Sequence, residues 1–226
     1  MKTIIAGAIG LFVATQMSIA HAIIIDFEDV PPLATGPSLF ADAGPAQDIT
    51  VAGVTFSGGV VLGFPTNFPA SPFSTPPNVY ASASSIVAAD PSLLPAISIA
   101  LDPSVGATEV EGLLFNGLTV DDSFLVEAFS SSTVVASQSL VDLPPNFQNG
   151  FGVFRLASGG PVIDLVTITA DLSGLLPDEW DFVIDTVAIN EPIENVLVAV
   201  TEPSTIGLLA LAMAGIGMAR RRRRSV

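Results

Sequence analysis

The chain has 226 residues, half of them hydrophobic, with 18 prolines, 19 glycines and a formal net charge of −15 from 22 acidic against seven basic residues. A field of that sign repels nucleic-acid phosphates and anionic membrane surfaces, so nucleic acid is excluded as a partner. Cysteine is absent and the one histidine, His21, falls in the N-terminal stretch expected below to be removed, which takes away Ser-His-Asp and Cys-His nucleophiles and the nitrogen and sulfur ligands of zinc, copper and haem, leaving carboxylate chemistry.

Lys2 precedes an apolar stretch from Ile4 to Val13, a more polar Thr15-Gln16 and then Ala20-His21-Ala22. A charged start, a short apolar core and a small-x-small site are the parts of a secretory signal peptide, so residues 1–22 are predicted to be removed between Ala22 and Ile23. The apolar core spans about 15 Å as a helix against a hydrocarbon core near 30 Å, which argues against a retained anchor. Export permits disulfides, and without cysteine stability must come from the core, from backbone pairing or from bound ions.

Residues 23–200 are long enough for one domain with a single core. Of the 22 acidic residues only Glu202 lies outside this stretch, and of the seven basic residues only Arg155 lies inside it, leaving 21 against one and a net charge of −20. Divalent cations are the natural counter-ions of such a body.

Short β-rich runs follow one another at 23–28, 50–57, 60–63, 84–88, 96–101, 108–116, 123–130, 133–140, 152–157, 162–170 and 181–190. Several alternate with period two, as in Phe124-Val126-Ala128 against Leu125-Glu127-Phe129, or Val166-Ile168 against Thr167-Thr169, the pattern of a half-buried strand. Gly and Pro punctuate them at Ser57-Gly58-Gly59, Pro144-Pro145 and Ser158-Gly159-Gly160-Pro161. No helical stripe competes. The expected fold is all-β, an antiparallel, jelly-roll-like β-sandwich over residues 23–190 followed by a linker over 191–200. The stretches 30–48 and 64–80 read as long loops, the second with repeated Phe-Pro units suited to covering a sheet face, the alternative being a ligand-contacting surface.

Chemistry-bearing groups are sparse. Glu109-Val110-Glu111 places two carboxylates on one strand face, as a glycosidase would need, but Leu113 and Leu114 follow where a further carboxylate would be wanted. With one Trp and one Tyr in the chain, catalysis is not expected and a carboxylate-based glycosidase is only a minor alternative. Trp180, flanked by Asp178, Glu179 and Asp181, is the candidate for stacking on a sugar ring, with Tyr80 and the phenylalanines behind it. Asp121-Asp122 and Asp178-Glu179 are expected to form turns and surface charges.

The tail carries Thr201-Glu202-Pro203, an apolar run from Ile206 to Ala219, and then Arg220, Arg221, Arg222, Arg223 and Arg224. The apolar run prefers to leave water and a guanidinium block resists crossing a bilayer, so the arginines should stop in the cytoplasm with everything upstream outside. The three parts in this order resemble the PEP-CTERM sorting signal of Gram-negative bacteria that make exopolysaccharide. In that family a short Pro-Glu-Pro motif precedes a transmembrane helix and an arginine cluster, and Thr201 stands where the family has its first proline. The resemblance implies export, an inner-membrane intermediate held by the transmembrane helix of a C-terminal sorting signal over residues 201–226, processing by an exosortase-type membrane protease, and delivery to the cell surface or extracellular matrix. A helix from Thr205 to Ala219 is about 22 Å long, short for a bilayer core near 30 Å, which suits a transient stop better than a permanent anchor.

Asp26, Glu28 and Asp29 open the predicted mature chain, and Asp181 and Asp185 lie in its last predicted strand. An early Asp-Phe-Glu-Asp with a late Ile-Asp resembles calcium-bearing jelly-roll domains of the carbohydrate-binding and lectin-like kind. On that resemblance Asp26, Glu28 and Asp185 would be ligands of Ca²⁺, which takes hard oxygens from carboxylates and carbonyls; the alternative is a solvated acidic edge. The expected function is that of an exported protein of the exopolysaccharide or biofilm matrix, structural or glycan-binding. The rival is a membrane-anchored or self-associating adhesion protein without a sugar site.

Overall fold

The computed structural model describes residues 22–32, 34–35, 46–63, 78–82, 96–145, 148, 150–172 and 181–194. Residues 1–21 of the predicted signal peptide, the run 84–88, most of the loop at 30–48, residues 64–77, Asp178-Glu179, Trp180 and the sorting tail lie outside them.

Alternation becomes burial. In β8 (Asp122–Ser130) Phe124, Val126 and Ala128 are buried while Leu125, Glu127 and Phe129 are more open. In β11 (Leu165–Ala170) Val166, Ile168 and Ala170 are buried and Thr167 and Thr169 are not. The strand face with branched and aromatic side chains is driven from water and the hydroxylated face stays in it.

Two sheets result. The back sheet runs from the first half of β4 (Val54–Gly63) through β6 (Ala96–Leu101), β11 and β8 to β9 (Thr133–Leu143), with β3 (Gln47–Val51) beside β4. The front sheet runs from the second half of β4 through β5 (Asn78–Ser82), β12 (Phe182–Ile189) and β7 (Glu109–Asn116) to β10 (Phe151–Ala157). Beside these lie β1 (Ile23–Ile25), on β12, and β2 (Ala34–Thr35), on β4. Among the described residues every ladder is antiparallel except the short one between β2 and β4. The architecture is thus all-β and sandwich-like, as expected.

Three sequence expectations need correction. The run 50–57 is not one strand: Ala52 and Gly53 take φ of 50° and 81° and fold it into a hairpin of β3 and β4. Two consecutive left-handed residues are what the right-handed twist of paired strands requires of a tight turn. Conversely, Ser57-Gly58-Gly59 does not end a strand. It bends β4 from the back sheet into the front one, because Gly58 has φ 95° and a Cβ there would lie 2.2 Å from the Ala96 carbonyl oxygen. Residues 78–80, expected at the end of a loop, open β5.

The main core fills the space between the sheets, with Phe56, Tyr80, Ile97, Ile99, Phe124, Phe154, Ile168, Phe182 and Ile184 among its fully buried members. A second buried cluster, including Leu62, Val79, Leu113, Phe115, Val183 and Ile193, occupies the other face of the front sheet. Consequently β12 is buried along its whole length. Along the far side the two sheets nearly close. There the Gln138 side chain of β9 accepts a hydrogen bond from the Arg155 backbone N–H at 2.6 Å and donates to the Val153 carbonyl at 3.3 Å, standing in for a rung of the missing ladder on β10.

Candidate functional site

The first and last strands are neighbours. Ile23 faces Ile189, Ile24 faces Ala188 and Ile25 faces Val187, so Asp26 leaves the ladder beside Thr186, where β12 carries a bulge against β7 and a φ of 40°. The other half of the same edge of β12 pairs with β5, Ile184 facing Tyr80. Asp26 and Asn78 therefore approach the bulge from opposite directions, with Asp185 at the bulge itself.

Residues 26–30 form a tight turn pinned by Phe27. Its φ of 61° is unusual for a residue with a side chain, and the ring offsets that cost by lying buried, stacked on Tyr80 with centroids 5.9 Å apart and edge-on to Phe56 at 5.0 Å. Asp26 Oδ1 accepts from the Glu28 N–H at 3.3 Å, and Glu28 Oε1 accepts from the Asn78 N–H at 3.2 Å. The Asn78 Nδ2 group donates towards three carbonyl oxygens, those of Phe27 at 3.2 Å, Glu28 at 3.3 Å and Val30 at 3.0 Å. An amide nitrogen has two protons, so three acceptors converge on a donor that can serve two of them. Burial raises the Glu28 pKa, the Asn78 N–H opposes this, and the charges of Asp26 and Asp29 raise it further.

Asp185 is wholly buried, and its Oδ1 accepts from the Thr186 N–H at 2.7 Å. Among the described residues no three His, Cys, Asp or Glu side chains gather as a group able to hold a metal ion. The oxygens that do converge are main-chain carbonyls with Glu28 and Asn78. Sequence reading missed Asn78, since nothing local ties a strand-opening asparagine to a turn 50 residues earlier.

Other candidates are placed differently. Glu109 and Glu111 share a strand face, but Glu111 Oε2 accepts from the Ile193 N–H at 3.0 Å and lies 3.5 Å from Arg155 Nε, so it serves an ion pair and a backbone cap. Tyr80 is no surface platform. It is buried, its hydroxyl donating to the Gln47 carbonyl at 2.8 Å and accepting from the Gly59 N–H at 2.9 Å. Asp122 is buried too, rather than a surface charge.

Residues 199–224 match the PEP-CTERM protein-sorting motif. The chain carries a PEP-CTERM sorting signal. That motif implies export, a membrane intermediate, exosortase processing and a place at the surface or outside the cell. No curated protein matches the chain. Among solved structures, a cleaved adhesin domain of the Lys-gingipain of Porphyromonas gingivalis is similar at 14% identity and a TM-score of 0.44, over 76% of this chain and 99% of that one. A second cleaved adhesin domain of Lys-gingipain gives 14% and 0.40, over 76% and 98%. A family 43 arabinoxylan arabinofuranohydrolase from Bacillus subtilis gives 12% and 0.31, over 51% of this chain and 21% of that one. Likenesses this distant carry nothing about activity or ligand.

Proposed function

We propose that this is a matrix protein, exported and then freed from the membrane by cleavage at Thr201-Glu202-Pro203, whose acidic β-domain acts without catalysis as a structural or glycan-binding component of extracellular polysaccharide. The observation that carries it is a sorting motif at residues 199–224 attached to a domain with one cation and no histidine or cysteine. The engagement of Glu111 by Arg155 and Ile193 weighs against a glycosidase pair.

Calcium belongs to the same proposal. Turned end for end, the Asn78 amide would aim an oxygen at three carbonyls, an arrangement that only a cation would hold together. With the Glu28 carboxylate this is an all-oxygen donor set of the kind Ca²⁺ takes, with Asp26 and Asp185 at neighbouring register positions. The ion would supply the positive charge that the turn lacks and tie β1 to β5.

Affinity electrophoresis of the protein recovered from its producing cell, in gels containing that cell's exopolysaccharide, tests the glycan role. Retardation by the polysaccharide supports it, and unchanged mobility in every gel removes it in favour of a purely structural protein. For the metal, Asn78→Asp is expected to unfold at lower temperature than wild type in EDTA and to gain more than wild type when calcium is added. Equal melting with and without calcium in both proteins would remove the metal.

A further inference from the structure

Beyond Ile189 the chain does not run off the end of β12. Asn190 takes a φ of 56°, and its side chain locks the turn. Oδ1 accepts from the Thr108 N–H at 2.9 Å and the Glu109 N–H at 3.3 Å, and Nδ2 donates to the Gly106 carbonyl at 3.3 Å. Its own N–H donates to the Glu109 carbonyl at 3.0 Å. The next residues lie on the outer face of the front sheet, where Ile193 is fully buried in the cluster that holds Leu113 and Ala188. Glu111 caps the Ile193 N–H, and Arg155 pairs with both Glu111 and Glu194. Arg155 is the only Lys or Arg between residues 23 and 200, and it is committed to this fold-back.

We infer that residues 190–194 are a strap that sets how closely the folded domain is joined to the sorting motif, and thereby restrains processing of that motif. This rests on the cleavage proposed above. Held at Glu194, the leash to Glu202 is eight residues long and reaches no further than about 28 Å; freed back to Asn190 it is twelve residues and reaches about 42 Å. The strap's partners sit on β7 and β10, which come together only in the folded sandwich. The short leash therefore exists only after folding, and a protease set in the membrane must then reach Glu202-Pro203 beneath a folded body. Ile193 is the main positioning residue, because burial of a whole isoleucine outweighs ion pairs that stay half-exposed. Arg155 and Glu111 hold it in register.

The test is a pulse-chase blot of full-length chain and shortened product in the producing cell. Ile193→Asp, Arg155→Glu and a four-residue Gly-Ser insertion between Asn195 and Val196 are each expected to raise the shortened fraction at an early time point by about two-fold or more, as a tether too short to span the gap does when it is lengthened. Adding Glu194→Arg to Arg155→Glu should restore the slower wild-type rate. The insertion leaves every strap contact in place, so it reads the leash even where a point variant folds poorly. An insertion without effect, or Ile193→Asp shortening no faster than wild type, overturns the strap while cleavage stands. A wild-type chain that is never shortened, or that Glu202-Pro203→Ala-Ala leaves equally shortened, overturns the cleavage proposal and the restraint with it.

Discussion

Asp122 shows what burial does to a single carboxylate. Its Oδ1 accepts from the Ser123 N–H at 2.7 Å and the Leu172 N–H at 3.2 Å, while Oδ2 is buried with no hydrogen-bond partner among the described residues. Burial, with help from the charge of Asp171, pushes its pKa up to about 6, against the two N–H donors. A carboxyl whose pKa is raised by folding favours the native state when protonated. Its contribution is full below about pH 4, the unfolded value, and is lost as pH rises through about 6. Asp122→Asn removes the charge and keeps an oxygen for Ser123 and Leu172, so it should raise the melting temperature at pH 7.5 and leave it nearly unchanged at pH 4. Thermal scans at the two pH values check this, and an equal shift at both would mean the charge is not what costs stability. The burial was legible in principle, because position 122 is in phase with Phe124 and Val126 on the inward face. The neighbouring Asp121, which suggested an exposed turn, masked it.

At the scale of elements, the turns were harder to read than the strands. Asn-Gly and Asp-Gly announce tight hairpins, but here the turns are Ala52-Gly53 and Ser131-Ser132, the latter with φ of 48° and 69°. Serine tolerates the left-handed region less well than Asn or Gly, so the pairing of β8 with β9 dictates that conformation rather than the local residues. The corner of β4 is the opposite case, a glycine pair that reads as a break and serves as a bend. Gly58→Ala would drive a methyl into the Ala96 carbonyl at an unfavourable φ, and should cost more than about 2 kcal/mol. Urea unfolding measures it. A smaller loss would show that β4 shifts sheets without the close approach.

For the whole molecule, the seam between β9 and β10 decides whether two sheets behave as one body. Gln138→Ala leaves the Arg155 N–H and the Val153 carbonyl without their side-chain partner, at an expected cost of about 1–2 kcal/mol. It also opens an edge to strand pairing between molecules. A lowered urea midpoint with concentration-dependent light scattering is the expected outcome; an unchanged midpoint and no scattering would assign closure to Leu140 and Leu143, which pack against Gly152.

Hydropathy, charge and alternation act between neighbours along the chain. For that reason the sequence alone was enough to determine the sorting motif, the poverty in nucleophiles and nitrogen ligands, the all-β class and the inward faces of β8 and β11. Contacts between distant positions exist only once strands have paired, and no local pattern encodes their register. Tertiary structure alone therefore decided that Asn78 would gather the carbonyls of a turn 50 residues earlier and that Glu111 would cap a backbone N–H 82 residues later. The same pairing took Tyr80 and Asp122 from the surface into the interior.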